Sequence, residues 1–176
     1  MTESILICLG GLPGSGKRSL ARSLAKEHGL YVLDFQAKKR QLFNSRSSHS
    51  PEQVDMLQTY LFQQILSEFP TVSKMYPRMI TQSLFHRATP RNFFLDAAKA
   101  YFDRVEFAWI ESVDPGQQFE SLVERGILQT SEHGALWRDS VERYFEPLPE
   151  GTVTFQNSAD DSSPARLWEL IGRSKK

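Results

Sequence analysis

The residues best suited to chemistry lie near the amino terminus, in the segment GGLPGSGKRSL at positions 10–20. Gly11 is followed after four residues by Gly16 and Lys17, which is the spacing of a phosphate-binding loop. Glycines allow backbone N–H groups to turn toward an anion, and a helix that starts after the loop adds the positive end of its dipole. The Lys17 ammonium can then reach the β- and γ-phosphates of a nucleotide.

This pattern predicts ATP binding. The predicted nucleotide-binding residues are Gly11, Leu12, Pro13, Gly14, Ser15, Gly16, Lys17, Arg18 and Ser19. One position departs from the usual pattern, because Arg18 stands where a Ser or Thr is expected directly after the lysine.

The segments around the loop predict the elements that position it. The apolar run SILICLGG (4–11) predicts a buried strand that leads into the loop. The next segment, GKRSLARSLAKEHG (16–29), has Leu20 and Leu24 on one helical face and a terminal glycine, so it predicts a helix. The later strand candidates are LYVLDF (30–35), PRMITQSLF (77–85), RVEFAWIES (104–112) and GTVTFQN (151–157).

Helices are predicted between these strands. A capping residue followed by proline marks four helix starts, since proline at the first helical position lacks an N–H that would have no partner. These pairs are Ser50-Pro51, Thr89-Pro90, Asp114-Pro115 and Ser163-Pro164. QAKKRQLF (36–43) predicts a further short helix, and ILQTSEHGA (127–135) is a polar break that is a candidate lid. The alternation of strands and helices predicts an α/β fold with a parallel sheet.

Composition narrows the class of protein. The 176 residues suit a single domain spanning 1–176, and Lys plus Arg equals Asp plus Glu at 21 each. A large nucleic-acid interface normally has a basic excess, so a nucleic-acid partner is not favoured. Cys8 is the single cysteine, which fits a reducing, cytoplasmic compartment. The apolar runs are far shorter than the roughly 20 residues that span a bilayer, and the oligomeric state stays open.

The segment GLPGSGKRS (11–19) resembles the P-loop of the nucleoside-monophosphate kinase branch, which reads glycine-x-proline-glycine-x-glycine-lysine-x-threonine. Nearly the whole chain resembles, more weakly, the small P-loop kinases related to polynucleotide 5′-kinase, zeta toxins and the kinase half of 6-phosphofructo-2-kinase. The resemblance implies a three-layer α/β/α sandwich with a five-stranded parallel sheet in the order 2-3-1-4-5. It also implies a helical lid at about residues 125–140.

The resemblance assigns roles within the loop. The family's metal-binding hydroxyl lies two positions after the lysine, where this chain has Ser19. Ser19 is therefore the expected Mg²⁺ ligand, and Arg18 points to solvent or toward a nucleotide phosphate, with solvent preferred. The base pocket is expected near the loop after the last strand, at residues 157–160.

The acceptor side departs from the family. The family's acceptor-activating aspartate falls on Gln36, while Asp34 lies two residues earlier, on the same strand face. The acid that ends the third strand in the family falls on Gln82. Asp34 or Gln36 is thus expected to orient the acceptor. Phosphoryl transfer depends mainly on positioning and charge, so loss of a base need not abolish activity.

Four arginines are candidates for stabilising negative charge. Arg125, beside the expected lid, is the main candidate for closing over the transition state, and Arg138 begins the returning helix. Arg87 and Arg91 flank the exit of the third predicted strand, where they could hold an acceptor phosphate.

The resulting hypothesis is an ATP- and Mg²⁺-dependent phosphotransferase. Its catalytic residues are Lys17, Asp34, Gln36 and Arg125, and its acceptor is a small molecule or a nucleotide with a hydroxyl or phosphate group. Two alternatives stay open: a catalytically degenerate ATP-binding sensor or scaffold, which the two glutamines favour, and a 5′-hydroxyl polynucleotide kinase.

Overall fold

The computed structural model describes residues 3–35, 38–39, 51–124, 126 and 128–173. Five strands are present: β1 (Ile5–Gly10), β2 (Tyr31–Leu33), β3 (Arg78–Gln82), β4 (Arg104–Ser112) and β5 (Val153–Asn157). The helices in the described part of the chain are α1 (Lys17–His28), α2 (Pro51–Leu66), α3 (Phe69–Met75), α4 (Ala88–Ala98), α5 (Pro115–Glu124), α6 (Ser131–Glu142) and α7 (Ser163–Arg173).

The strands form one parallel sheet in the order β2-β3-β1-β4-β5, which confirms the predicted α/β fold and strand order. The central strand β1 is buried along its whole length. Its continuous apolar sequence fits this position, because a parallel strand is covered on both faces.

Alternate residues of β1 enter two separate cores, as the period of two in a strand requires. Ile5, Ile7 and Leu9 pack with α1 and α7 on one face of the sheet. Leu6 and Cys8 pack on the other face with α2, α3 and α4. The sheet therefore lies between two helical layers.

Aromatic rings dominate the second core. Phe85 and Phe94 contact Phe62 with ring centroids 5.3 Å and 4.9 Å away, and Phe35 joins the same group. Such pairs contribute about 0.5–1.5 kcal/mol each beyond the area they bury. This cluster fixes the end of β2 and the segment after β3, both of which lie at the carboxyl edge of the sheet.

Helix boundaries agree with the capping signals in part. Gly29 ends α1 in the left-handed conformation, and the Asp114 side chain accepts the Gln117 N–H at the start of α5. The prediction for Thr89 was wrong, because α4 begins at Ala88 and Arg87 occupies the N-cap position. The helix begins two residues before Pro90, so the proline lies inside its first turn. The predicted helix at 36–43 lies mostly outside the described residues.

None of the helices in the described ranges has the length and apolar character that a membrane span requires.

Candidate functional site

A cleft of about 2010 Å³ opens at the carboxyl edge of the sheet. Ligands bind at this edge in open α/β sheets. The loop at 10–17 follows β1, Asp34 follows β2, Gln82 ends β3 and Asn157 ends β5. The strand order therefore gathers residues from distant parts of the chain around one opening.

The glycines of the loop adopt backbone conformations that other residues rarely take. Gly14 has φ 77° and Gly16 has φ 76°. A Cβ atom on Gly16 would also lie 2.4 Å from the Asn157 side-chain nitrogen, so there is no space for one. Helix α1 begins directly after Gly16, and the N–H groups of its first turn have no partner within the helix. This arrangement suits an anion.

Lys17 is buried at the base of the loop. Its Nζ donates to the Leu12 carbonyl at 2.8 Å and to Ser15 Oγ at 3.0 Å. Burial, followed by the positive charge of Arg138, lowers the pKa of Lys17 to about 7. The two acceptors of Nζ are uncharged, so a phosphate bound here gives the ammonium its anionic partner.

Asn157 connects the end of β5 to the loop. Its Nδ2 donates to the Ser15 carbonyl at 2.9 Å, and its Oδ1 accepts the Ala159 N–H. The sequence assigned residues 157–160 to the base pocket, and residues 157, 159 and 160 do line the cleft. The additional finding is that Asn157, which is only 4% exposed, also holds the loop in shape.

Helices α5 and α6 close over the loop from the opposite side. The Phe119 ring is 3% exposed and packs between Gly14 and Gly134, since a Cβ atom on either glycine would come within 2.7 Å of it. Arg138 Nη1 donates to the Pro13 carbonyl at 3.3 Å. The expected lid region at 125–140 thus contacts the phosphate-binding loop directly.

The cleft offers few oxygen donors to a metal ion. No cluster of three or more His, Cys, Asp or Glu side chains suited to a metal occurs within the described ranges. Mg²⁺ commonly binds one or two protein oxygens together with substrate phosphates and water. The Ser19 hydroxyl and the Gln82 amide both line the cleft. This donor set fits a Mg²⁺ ion held mainly by nucleotide phosphates.

Asp34 lies at the edge of this site. The β2–β3 register pairs Leu33 with Thr81, so Asp34 and Gln82 follow on neighbouring strands. Arg18 Nη2 lies 3.9 Å from Asp34 Oδ2, and the two side chains are 45% and 37% exposed. Arg18 is therefore partly solvent-exposed and directed at a carboxylate. Such a pair contributes little to stability, because water screens it.

Arg87 and Arg91 are engaged with protein groups. Arg87 Nε binds Asp55 Oδ1 at 2.7 Å, and its Nη1 lies 3.2 Å from a Glu146 oxygen. The hydrogen bond to Asp55 raises the pKa of Arg87. Arg91 is 1% exposed and donates to the Phe85 and Pro147 carbonyls. The structure thus places both arginines as links between segments, away from the acceptor role considered for them.

Two predicted catalytic residues, Gln36 and Arg125, lie outside the described residues. Several residues of the site escaped sequence reasoning. Phe119 resembled any apolar helix residue. Gly134 lay in the segment 127–135 that was predicted as a polar break, whereas α6 begins at Ser131. Gln58 and His86 also line the cleft, and no local motif marks either of them.

Solved structures with the same fold include two kinases and one further nucleotide-bound protein. A gluconokinase from Sinorhizobium meliloti 1021 superposes with a TM-score of 0.64 at 13% identity, covering 98% of this chain and 94% of that one. The Mycobacterium tuberculosis APS kinase CysC, in complex with AMPPNP and APS, gives 0.65 at 15% identity, with 98% and 99% covered. Kti12 from Chaetomium thermophilum, in complex with ADP-AlF3, gives 0.56 at 17% identity, with 94% and 98% covered.

No protein-family profile and no curated protein sequence matches the chain. The likeness to these structures establishes a P-loop kinase fold.

Proposed function

We propose that this protein is an ATP-dependent phosphotransferase that moves the γ-phosphoryl group to an acceptor hydroxyl or phosphate. The observation that carries the proposal is the buried Lys17 amine inside a glycine-rich turn at the start of α1. Solved structures of the same fold hold AMPPNP and ADP-AlF3. Within that fold we favour the nucleoside-monophosphate kinase-like group that includes polynucleotide kinase and zeta toxins, because Ser19 lies two positions after the lysine.

Each residue in the proposal has a physical task. The loop N–H groups and Lys17 bind the β- and γ-phosphates, and Ser19 supplies a hydroxyl to Mg²⁺, which when bound neutralises phosphate charge. Asp34 or Gln36 orients the acceptor. Arg138 already reaches the loop and balances the charge that develops during transfer, a role the sequence assigned chiefly to Arg125. We place this reaction in the cytoplasm, within one domain spanning 1–176.

Nucleotide titration of a variant tests the proposal. Lys17→Ala should weaken AMPPNP binding at least about 100-fold, since it removes a charge-assisted contact with phosphate. Lys26→Ala is the matched control, because Lys26 is an exposed lysine near the far end of the same helix. Equal titration heats for wild type and Lys17→Ala contradict the proposal.

A second candidate function is nucleotide sensing without transfer, and Gln82 favours it. An amide at the end of β3 cannot accept a proton, and it lies where the resembling family has an acid. A protein of this kind binds ATP but releases no ADP with any acceptor. An assay of ADP release with a panel of hydroxyl acceptors separates this candidate from the leading proposal. A 5′-hydroxyl oligonucleotide in the panel tests the polynucleotide kinase.

A further inference from the structure

One wall of the cleft carries neutral polar side chains whose hydrogen-bonding atoms are buried. His86 and Gln82 come from the β3–α4 segment, and Gln58 comes from α2. Arg87 joins the two segments by binding Asp55, which lies one turn before Gln58 on α2. We call this wall, with its apolar neighbours Leu57, Leu61 and Leu84, the acceptor pocket.

Two atoms of the acceptor pocket have unmet hydrogen-bonding capacity. His86 Nδ1 and Gln58 Oε1 are buried and have no partner among the described residues. His86 as a whole residue is only 3% exposed. A buried polar atom without a partner costs about 1–3 kcal/mol, so a ligand that supplies the partners binds favourably here.

The pocket is also uncharged. Burial lowers the pKa of His86 to about 4, with the nearby Arg87 adding to the effect, so the imidazole is neutral at physiological pH. The Gly11 N–H donates to the Leu84 carbonyl at 3.2 Å, so the segment that carries His86 lies beside the phosphate-binding loop. Gln58 and Gln82 carry no charge at any pH.

The two arginines beside the pocket are engaged with other protein groups. Arg87 is held between Asp55 and Glu146, and Arg91 donates to two backbone carbonyls. The remaining basic residues nearby, Lys39 and Arg143, line the cleft but are exposed. Within the described ranges, no uncommitted buried cation faces an acceptor phosphate or carboxylate here.

The segment that bears His86 is held in an unusual conformation. Phe85 has φ 49°, which is rare for a bulky residue. Its ring is buried among Phe35, Phe62 and Phe94, and its carbonyl accepts a hydrogen bond from Arg91. Backbone strain of this kind costs about 1–3 kcal/mol and persists where surrounding structure enforces it, often at binding sites. The strain here fixes the position of His86 in the cleft wall.

We propose that Gln58, Gln82 and His86 bind the phosphoryl acceptor through neutral hydrogen bonds, and that this acceptor is an uncharged polyhydroxy compound. The inference rests on the proposed function and names its substrate class. An acceptor hydroxyl oxygen bonds to the γ-phosphorus, the bond from that phosphorus to the oxygen of ADP breaks, and the hydroxyl proton passes to Asp34 or to water.

Matched acceptor pairs test the charge of the substrate. ADP release and phosphate transfer from labelled ATP are measured with sorbitol and gluconate, glycerol and glycerol 3-phosphate, and adenosine and AMP. We expect transfer to at least one neutral member, with kcat/KM at least about 10-fold above its anionic partner, since an unpaired buried charge is costly. Preference for an anionic member overturns the inference, as does transfer to none of them by a protein that binds AMPPNP. Failure to bind AMPPNP instead overturns the proposed function itself.

Variants of the pocket test its residues. Gln58→Leu and His86→Phe should each raise the KM for the neutral acceptor about 10-fold or more, while the KM for ATP changes less than about twofold. Gln63→Leu is the matched control, because Gln63 is an exposed glutamine on the same helix and does not line the cleft. Circular dichroism shows whether each variant folds. An unchanged acceptor KM in a folded Gln58→Leu protein contradicts the assignment.

Discussion

Lys17 combines a cationic side chain with nearly complete burial, two properties that are costly together. The chain tolerates the combination because the Leu12 carbonyl and Ser15 Oγ accept hydrogen bonds from Nζ. Arg138 adds a second positive charge close by, which disfavours the protonated amine further. Burial and the charge of Arg138 disfavour protonation of Lys17 as long as no anion is present. The same two features make the loop attract an anion.

Nucleotide affinity should depend on pH through Lys17. The free protein has a Lys17 pKa of about 7, and bound phosphate raises it, so binding above pH 7 requires proton uptake. Affinity for AMPPNP at fixed Mg²⁺ should therefore be greatest below about pH 7 and fall by up to about tenfold per pH unit above it. Isothermal titration at several pH values measures this. Lys17→Arg keeps its charge at every pH tested, so the AMPPNP affinity that remains in this variant should not change with pH. A wild-type affinity that does not change with pH contradicts the titration of Lys17.

Asp34 should affect turnover far more than binding if it takes the acceptor proton. Asp34→Asn removes the base but keeps the shape, so turnover should fall about 100- to 10,000-fold while AMPPNP affinity stays within about twofold. Loss of the exposed ion pair with Arg18 should cost at most about 1 kcal/mol of stability. Asp96→Asn, at an exposed residue paired with Lys99, is the control. Equal turnover in Asp34→Asn means that water takes the proton and leaves Gln36 only the task of orienting the acceptor.

Sequence reasoning reached some of these residues and missed others for a physical reason. Lys17 and Ser19 belong to one short segment, and the spacing of its glycines and lysine predicts phosphate binding. His86 and Gln58 lie 28 positions apart, and only the packing of α2 against the β3–α4 segment brings them to one cleft. No local pattern encodes that contact, so the acceptor pocket emerges only from the structure.

At the level of elements, α5 and α6 form a small unit that contacts the loop through the Phe119 ring, the Arg138 guanidinium and Val141, which packs with Leu12. Phe119 fills the space left by Gly14 on the loop and Gly134 on α6. No described residue of the unit belongs to the two large cores beside the sheet. Its position over the loop therefore depends on a few contacts, in which Phe119 is the largest buried side chain.

Phe119→Ala should loosen this unit without unfolding the sheet. Large-to-small changes of buried phenylalanine cost about 3–5 kcal/mol, so hydrogen exchange in α5 and α6 should accelerate about 100-fold or more. Amides of β1 and β4 should exchange as in the wild type. Leu136→Ala, at an exposed leucine on α6, should leave exchange unchanged. Uniform acceleration across all strands in Phe119→Ala would mean that the unit is inseparable from the main core.

The sequence predicted the sheet elements well because their signals are local. Apolar runs such as Ile5–Gly10 end in turn residues, and α1 ends at a glycine that adopts the left-handed conformation. The start of α4 was misplaced because Thr89-Pro90 resembles a cap, whereas Arg87 precedes the helix and is held by Asp55 and Glu146. A long-range ion pair thus overrode a local signal.

Across the whole molecule, one set of contacts joins the chain leaving β3 to the chain returning from α6. Arg91 donates to the Phe85 and Pro147 carbonyls, and the Glu146 N–H donates to the His86 carbonyl at 2.9 Å. The ion pair of Arg87 with Glu146 crosses the same gap. These contacts tie the chain that follows α6 to the segment that carries the acceptor pocket.

Arg91→Leu should therefore destabilise the whole fold. The Phe85 and Pro147 carbonyls lose their donor, and loss at the buried Phe85 oxygen alone costs about 1–3 kcal/mol. Removal of a buried charge, whose desolvation lowers the pKa of Arg91, offsets part of that loss. A net loss of about 2 kcal/mol should lower Tm by about 4–8 °C in a chain of this size. Arg173→Leu, at an exposed arginine on α7, should change stability by less than about 0.5 kcal/mol. If Arg91→Leu melts with the wild type, desolvation of the guanidinium cancels both hydrogen bonds, and the ion pair of Arg87 with Glu146 must hold the two segments together.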